Sequence, residues 1–285
     1  MYRILTKKSL NYNVTQMEID APLVAAKAKP GQFIILRVDQ GGERIPLTVA
    51  GIDKEKGSVK IVFKVAGSTT QILHYKEVGD SLCDFAGPLG NPTRTDGLKN
   101  VCVIGGGVGC AIALPVAKEL KEKDARVTGI AGFKNEAQVL LEEEFRECCD
   151  DFYLMTDDGS RGAHGNVTLP LKELLEKGEI FDEIIAIGPV VMMKFVTLAS
   201  KPFGVPVTVS MNPIMIDGTG MCGGCRLTLN KDGRREIRFA CVDGPDFDGY
   251  EVDFEEALNR SRMYKAFESH AYEETCHLFS KIKDC

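Results

Sequence analysis

One carboxylate and three thiols carry the most specific chemistry in this chain. They lie in Asp217-Gly218-Thr219-Gly220-Met221-Cys222-Gly223-Gly224-Cys225, with Cys241 after a further fifteen residues. The offsets match the C-x₄-C-x₂-C…C spacing that holds a [2Fe–2S] cluster, with Asp217 standing where the first cysteine would be. A bulky inorganic core needs soft anionic donors on a backbone that can bend round it. The four glycines of the loop suit this, because Gly reaches positive φ without a Cβ clash. The same donors also suit a tetrahedral zinc shell of three thiolates and a carboxylate, or an empty or disulfide-bonded loop, and spacing alone leaves these open. A carboxylate oxygen is harder than a thiolate and can be protonated. Asp217 would therefore shift a cluster's potential and couple it to pH.

A second group of residues is glycine-rich. The apolar run Val101-Cys102-Val103-Ile104 feeds Gly105-Gly106-Gly107-Val108-Gly109 and then a helix expected over 110–123. The motif is G-x-G-x-G rather than the full G-x-G-x-x-G. Its context, a buried strand opening into a helix N-terminus through glycines, is nevertheless what a dinucleotide pyrophosphate needs. Further strands are expected over 126–133, 152–156, 183–187 and 205–210. Alternation with helices makes this a parallel sheet covered on both faces, with ligands beyond the strand carboxyl ends. The second strand ends at Lys134-Asn135-Glu136, near where ribose selection is made. An acid there favours a free 2′-hydroxyl and a cation a 2′-phosphate, so these residues pull opposite ways. Gly188-Pro189 and Met192 follow the fourth strand, and His164, among the glycines after the third, reads as a solvated turn residue.

The third candidate site lies in residues 1–95, whose short apolar runs at 3–9, 14–20, 32–38, 45–53 and 58–65 read as strands of a small antiparallel barrel. Arg44-Ile45-Pro46-Leu47-Thr48 lies within it. Val65-Ala66-Gly67-Ser68-Thr69-Thr70 opens a short helix expected over 71–75. Amides and hydroxyls at a helix start suit a pyrophosphate, and Arg44 would add a fixed cation. Taken alone, both features also read as a solvated turn and a plain N-cap. Asp84–Pro92 reads as a linker, Asp243–Asp246 as a polar turn and 253–278 as a helix. Its Phe254, Leu258, Met263 and Phe267 would face a core or a partner.

Composition narrows the function classes. The chain has 285 residues, 44% apolar and 27% charged, with a formal net charge of −6. It fits a soluble protein of two domains plus an extension, with no basic surface for nucleic acid. No run is long and apolar enough for a membrane span, and the first residues lack a signal-peptide core, so a cytoplasmic location is expected. Ten cysteines in a reducing compartment are then no disulfide framework. Cys83, Cys102, Cys110, Cys148, Cys149, Cys276 and Cys285 read as buried small hydrophobes or bystander thiols.

The order of parts, a β barrel, then an α/β Rossmann-like nucleotide domain, then a [2Fe-2S] loop, resembles the ferredoxin-NADP reductase superfamily. More closely it is similar to two electron-transfer subunits, that of dihydroorotate dehydrogenase and the small subunit of NADH-dependent reduced ferredoxin:NADP oxidoreductase (sulfide dehydrogenase beta-subunit-like). The resemblance covers residues 1 to about 265 and implies four parts: an FAD-binding barrel (1–95), an NAD(P)-binding domain (96–210), a cluster lobe (211–250) and a C-terminal helix and tail (251–285). It implies FAD at Arg44, Pro46, Leu47 and Thr48 and at Val65, Gly67, Ser68, Thr69 and Thr70. It implies NAD(H) at Gly105, Gly106, Gly107, Gly109, Gly188, Pro189 and Met192, and the cluster on Asp217, Cys222, Cys225 and Cys241. Asp217 in the first ligand position matches the transhydrogenase subunit rather than the dihydroorotate subunit, which has four cysteines. The implied activity is flavin-based electron bifurcation, passing electrons from NAD(H) through FAD and the cluster to a larger subunit carrying FAD and [4Fe–4S] clusters. No general base is implied, since the protein positions cofactors rather than moving protons.

Overall fold

In the computed structural model, which describes residues 2–283, the first unit is a curled antiparallel sheet. Its elements are β1 (Tyr2–Asn11), β2 (Val14–Asp20), α1 (Pro22–Ala25), β3 (Phe33–Arg37), β4 (Arg44–Asp53), β5 (Ser58–Lys64), α2 (Ser68–Tyr75), β6 (Ser81–Leu82) and β7 (Asp84–Leu89), with strand order β6-β1-β2-β5-β4-β3-β7. The two edge strands are separated in sequence only by Cys83, so the sheet curls until its edges meet and the barrel nearly closes. Alternation sends Met17, Ile19, Ile34, Leu36, Val59 and Ile61 inward to pack on Phe63, Leu73 and Phe85.

One expectation fails here. The turn-rich stretch at Asp84 is not a linker but starts the strand that completes the barrel, pairing Ile35 with Ala86 and Arg37 with Asp84. Gly and Pro in the stretch imitate a loop, whereas its position at a sheet edge lets Pro88 sit in a strand without costing an interior ladder bond.

The second unit comprises β8 (Asn100–Gly106), α3 (Cys110–Glu122), β9 (Arg126–Phe133), α4 (Glu142–Cys148), β10 (Asp151–Thr156), β11 (Ala163–His164), α5 (Thr168–Glu176), β12 (Glu183–Ile187), α6 (Val190–Ser200) and β13 (Val207–Ser210). Its sheet runs β11-β10-β9-β8-β12-β13 in parallel and gains one antiparallel strand at the end. Val101 and Val103 pack with α3 and α4 on one face, while Cys102 and Ile104 pack with α5 and α6 on the other. Burial on both faces explains the near-continuous apolar runs.

After β13 the chain leaves this sheet and makes the hairpin β14 (Arg226–Lys231) and β15 (Arg234–Phe239). It then returns as β16 (Asp246–Asp248), antiparallel to β13. The polar turn expected at Asp243–Asp246 therefore leads into a strand of the nucleotide sheet, and the glycine-rich loop is an excursion anchored at both ends. The C-terminal helix is broken: α7 (Phe254–Ser261) and α8 (Lys265–Lys283) are separated by Arg262–Tyr264. Phe254 is buried, whereas Met263 and Phe267 are exposed, and α8 packs on α2 with the Tyr272 hydroxyl donating to Gln71 Oε1 at 3.4 Å. Cys285 and the side chains of Cys276 and His277 lie outside the described residues. Among the described residues no helix is long and apolar enough to cross a membrane.

Of the seven thiols expected to be bystanders, Cys102, Cys110 and Cys148 are buried and Cys83 and Cys149 half-buried. Burial pushes the Cys110 thiol up to about 12, so it is a neutral packing group at any physiological pH.

Candidate functional site

The flavin-type residues line an opening in the barrel wall. β4 pairs with β3 along its first half, Pro46 opposite Ile35 and Thr48 opposite Phe33, but meets β5 only from Val49 onward. Residues 44–48 therefore present one unpaired edge, facing the turn where β5 ends and Val65-Ala66-Gly67 leads into α2. A backbone edge left open beside a helix start offers donors and acceptors to a ligand rather than to a neighbouring strand. The exposed Arg44 guanidinium stands 3.6 Å from the Asp84 carboxylate, which also accepts a 2.7 Å hydrogen bond from Arg37 Nε.

The two threonines of the helix start divide their roles. Thr70 Oγ1 accepts from the amides of Ala66 (3.0 Å) and Gly67 (3.1 Å) and donates to Gly67 O (2.9 Å), so its hydroxyl closes the helix start. Thr69 Oγ1 donates to Glu43 Oε2 at 3.1 Å. Thr70→Val is expected to destabilise the chain by about 1 kcal/mol, because the hydroxyl's cap is lost at constant shape. Thermal melting should register this as a fall of about 2–4 °C.

The parallel pairing of β8 with β12 brings the nucleotide-type residues together, with Gly105 opposite Ile187. Several of these glycines mark close approach. A Cβ on Gly109 would lie 2.4 Å from Ile187 O, and one on Gly106 would lie 2.4 Å from Met192 Sδ and 3.1 Å from Pro189 Cδ. Gly188 sits against Gly106 and Met192 in the same way. Gly107 differs, having φ +55° and open space where its Cβ would be. A bare backbone at positive φ facing space is what a pyrophosphate approach requires. The turn Gly107–Gly109 contacts β5 and α3 contacts β4, with Val62 and Ala50 in the shared apolar cluster, so this loop packs against the barrel beside β5.

The glycine-rich loop completes the site. Cys225 and Cys241, only 1% and 3% exposed, bring their sulfurs within 3.2 Å. Cys222 is exposed, and its amide donates to Asp217 Oδ2 at 2.7 Å while that of Thr219 donates to Oδ1 at 2.9 Å. These amides, Thr219 first, hold the Asp217 carboxyl below its ordinary pKa. Burial, and then the neighbouring Cys225, push the Cys241 thiol up to about 12, so a thiolate forms there only against a cation. The donors thus stand as two pairs, Asp217 with Cys222 and Cys225 with Cys241. Two pairs suit a two-iron centre, in which each iron takes two protein ligands. Among the described residues no three His, Cys, Asp or Glu side chains converge as a single zinc ion requires.

Tertiary contacts seat this loop on the barrel. A Cβ on Gly218 would meet Leu89 Cδ1 at 2.7 Å and Ile35 Cγ1 at 2.9 Å, and Ile35 is the cross-strand partner of Pro46. The loop therefore lies one strand from the barrel opening. Asn91 clamps the far side, its Nδ2 donating to Val242 O (3.0 Å) and Asp243 O (3.1 Å) and its amide to Gly244 O (2.7 Å). Thr93 Oγ1 donates to Asp246 Oδ2 at 2.6 Å, and Arg260 of α7 donates to Gly224 O at 3.0 Å. Burial raises the Asp246 carboxyl above its ordinary pKa. None of Asn91, Thr93, Asp246 or Arg260 is singled out by spacing, and no local signal could have found them, because their partners are more than thirty residues away.

A barrel followed by a doubly covered parallel sheet is the ferredoxin-reductase fold, here with an added thiol-bearing lobe. Residues 212–253 match the family described as the iron-sulfur cluster binding domain of dihydroorotate dehydrogenase B. A Thermotoga maritima protein described as a dihydroorotate dehydrogenase B (NAD(+)) electron transfer subunit homolog is 45% identical over 95% of this chain and 94% of its own. The corresponding subunit of Enterococcus faecalis is 30% identical over 88% of this chain and 97% of its own. The solved structure of an NADH-dependent reduced ferredoxin-NADP oxidoreductase, described in connection with flavin-based electron bifurcation, superposes with a TM-score of 0.89. It is 42% identical over 96% of this chain and 97% of that chain. The chain belongs to the family of dihydroorotate dehydrogenase B electron-transfer subunits and their homologues.

Proposed function

We propose that this chain is the electron-transfer subunit of a flavin-based bifurcating NADH-dependent reduced ferredoxin:NADP+ oxidoreductase. In that role it passes electrons between NAD(H), FAD and a [2Fe-2S] cluster and a larger partner subunit carrying FAD and [4Fe–4S] clusters. The observation that carries the reading is convergence: the barrel opening, the Gly107–Gly109 turn and the Asp217–Cys225 loop all meet around β3–β5. When bound, the flavin exchanges two-electron hydride chemistry for the single electrons an iron–sulfur centre handles.

The chain's own residues supply position and charge. Arg44 would supply a fixed cation to the flavin phosphates, with Gly67, Ser68 and Thr69 at the helix start. Pro46, Leu47, Thr48 and Val65 line the opening. Gly105, Gly106, Gly107, Gly109, Gly188, Pro189 and Met192 shape the nicotinamide-nucleotide slot. Asp217 and Cys222 would hold one iron and Cys225 and Cys241 the other. Around the exposed Cys222 stand Ile216, Val242 and Met221, the last 88% exposed, an apolar rim suited to docking the partner over the electron exit.

Arg44→Ala is expected to lower FAD retention about tenfold without unfolding the chain, since the side chain is exposed and its loss removes one charge-assisted contact. Flavin released on gel filtration measures this. The reading as a whole is tested by anaerobic purification. A brown protein with about two irons per chain, bound flavin and a co-purifying iron–sulfur flavoprotein is expected. A colourless, zinc-loaded, flavin-free chain refutes it. A co-purifying FMN-containing TIM-barrel protein would instead identify a dihydroorotate dehydrogenase subunit, a reading that the carboxylate at position 217 disfavours.

A further inference from the structure

Beyond the strands that flank the glycine turn lies an arginine, a group of the kind that reads a 2′-phosphate, and the fold keeps it paired. β9 and β10 are parallel neighbours ending in register at Phe133 and Thr156, and the loops beyond them sit where a parallel sheet meets the adenosine end of a dinucleotide. Arg161 lies in the second loop. Its backbone is fixed, the amide donating to Thr156 Oγ1 at 3.2 Å and the carbonyl accepting from it at 2.8 Å. Its side chain is held from two sides, Nε by Glu142 Oε2 at 2.6 Å and Nη1 by Glu136 Oε1 at 3.3 Å.

Glu142 is itself locked. It opens α4, is only 11% exposed and accepts from Arg146 at 2.8 and 3.1 Å, one helical turn on. Glu136 is steadied by its amide, which donates to Ser160 Oγ at 2.7 Å, and Ser160 in turn bonds Asp158. Asp157 and Asp158 add exposed negative charge to the rim. A half-buried carboxylate shared by two guanidiniums gives neither up readily, because losing one leaves desolvated charge uncompensated.

We infer that Glu142 and Glu136 set nucleotide specificity by holding Arg161 out of reach, so that the site accepts the free ribose diol of NAD(H) and refuses a 2′-phosphate. Glu142 is a positioning residue acting through Arg161, and the inference rests on the nucleotide reading of the glycine turn. It resolves the opposed signals of Lys134 and Glu136: the cation that matters is Arg161, and it is already paired.

Calorimetric titration of the anaerobic holoprotein with ADP-ribose and with 2′-phospho-ADP-ribose tests this. The unmodified protein should bind ADP-ribose at least about tenfold more tightly. Glu136→Gln combined with Glu142→Gln should tighten 2′-phospho-ADP-ribose about tenfold while leaving ADP-ribose within about twofold, an effect that fades at high salt. Adding Arg161→Ala should abolish the gain. Glu136→Gln alone, at an exposed position that does not threaten folding, should give part of it. An unchanged ratio in both carboxamide variants overturns the inference, as does a gain that survives loss of Arg161 or a preference that depends on Lys134→Ala instead. An unmodified protein that binds both ligands alike overturns it while leaving the nucleotide slot standing. One that binds neither overturns the slot itself.

Discussion

Replacing Cys225 with serine is expected to empty the cluster loop, lowering iron from about two per chain to near zero and removing the visible absorption. The reason is burial. Cys225 sits in the protein interior with its sulfur 3.2 Å from that of Cys241. A serine hydroxyl ionises far less readily than a thiol, and in a buried site it stays neutral and binds iron poorly. The inner pair would lose one member and leave the other as a buried thiol, which burial, the first cause of its raised pKa, still disfavours from ionising. Cys222→Ser should be milder, because that position is exposed and water can support a harder ligand there. Iron and acid-labile sulfide analysis of the two variants measures the difference. Full iron content in the Cys225 variant would contradict the assignment of the inner pair.

Gly109→Ala should be among the most damaging single methyl groups in the nucleotide domain. The added carbon would lie 2.4 Å from the carbonyl oxygen of Ile187 and 2.9 Å from Gly188 Cα, both of them backbone. Neither obstacle can rotate away, so the turn must lift off β12 or the strand must shift. Overpacking of this kind costs about 3 kcal/mol. The same displacement moves the turn from the barrel, and NADH affinity should fall about a hundredfold, equivalent to about 2.7 kcal/mol. Gly107→Ala is the comparison. No protein atom lies within 4 Å of its Cβ, so its stability should fall only by the backbone strain of a positive φ, about 1 kcal/mol, while the methyl group in the open space should itself weaken NADH binding. Thermal unfolding and NADH titration of both variants separate packing from strain. A Gly109 variant that melts like the parent would show that the turn does not bear on β12.

Local signals made much of the chain legible. Burial on both faces writes long apolar runs into β8, β9 and β12, and alternation writes β2 and β5, so these elements were expected close to where they occur. The donor spacing from Asp217 to Cys241 was legible for the same reason: ligands on one short loop are neighbours in sequence. Where edge position overrides composition, the sequence misleads, as at β7, whose Gly and Pro read as a linker. The hairpin β14–β15 carries a local signal, the Asp232-Gly233 turn, that the ligand-spacing reading passes over, whereas the returning strand β16 gives none, because its place is set by pairing with the distant β13.

The sequence by itself determined which groups are available: a carboxylate and three thiols on a glycine-rich loop, glycines at a strand–helix junction, and an arginine beside a strand edge. Only the tertiary structure decided how they combine. The donors divide into an exposed and a buried pair, Gly218 rests against Ile35 beside the barrel opening, and Thr70 caps a helix while Thr69 keeps its hydroxyl on Glu43. It also decided that Arg161 is taken by Glu142 and Glu136. The physical reason is range. Backbone propensity and ligand spacing act over a few residues, whereas burial, close approach and charge pairing depend on which distant segments the fold brings within a few ångströms.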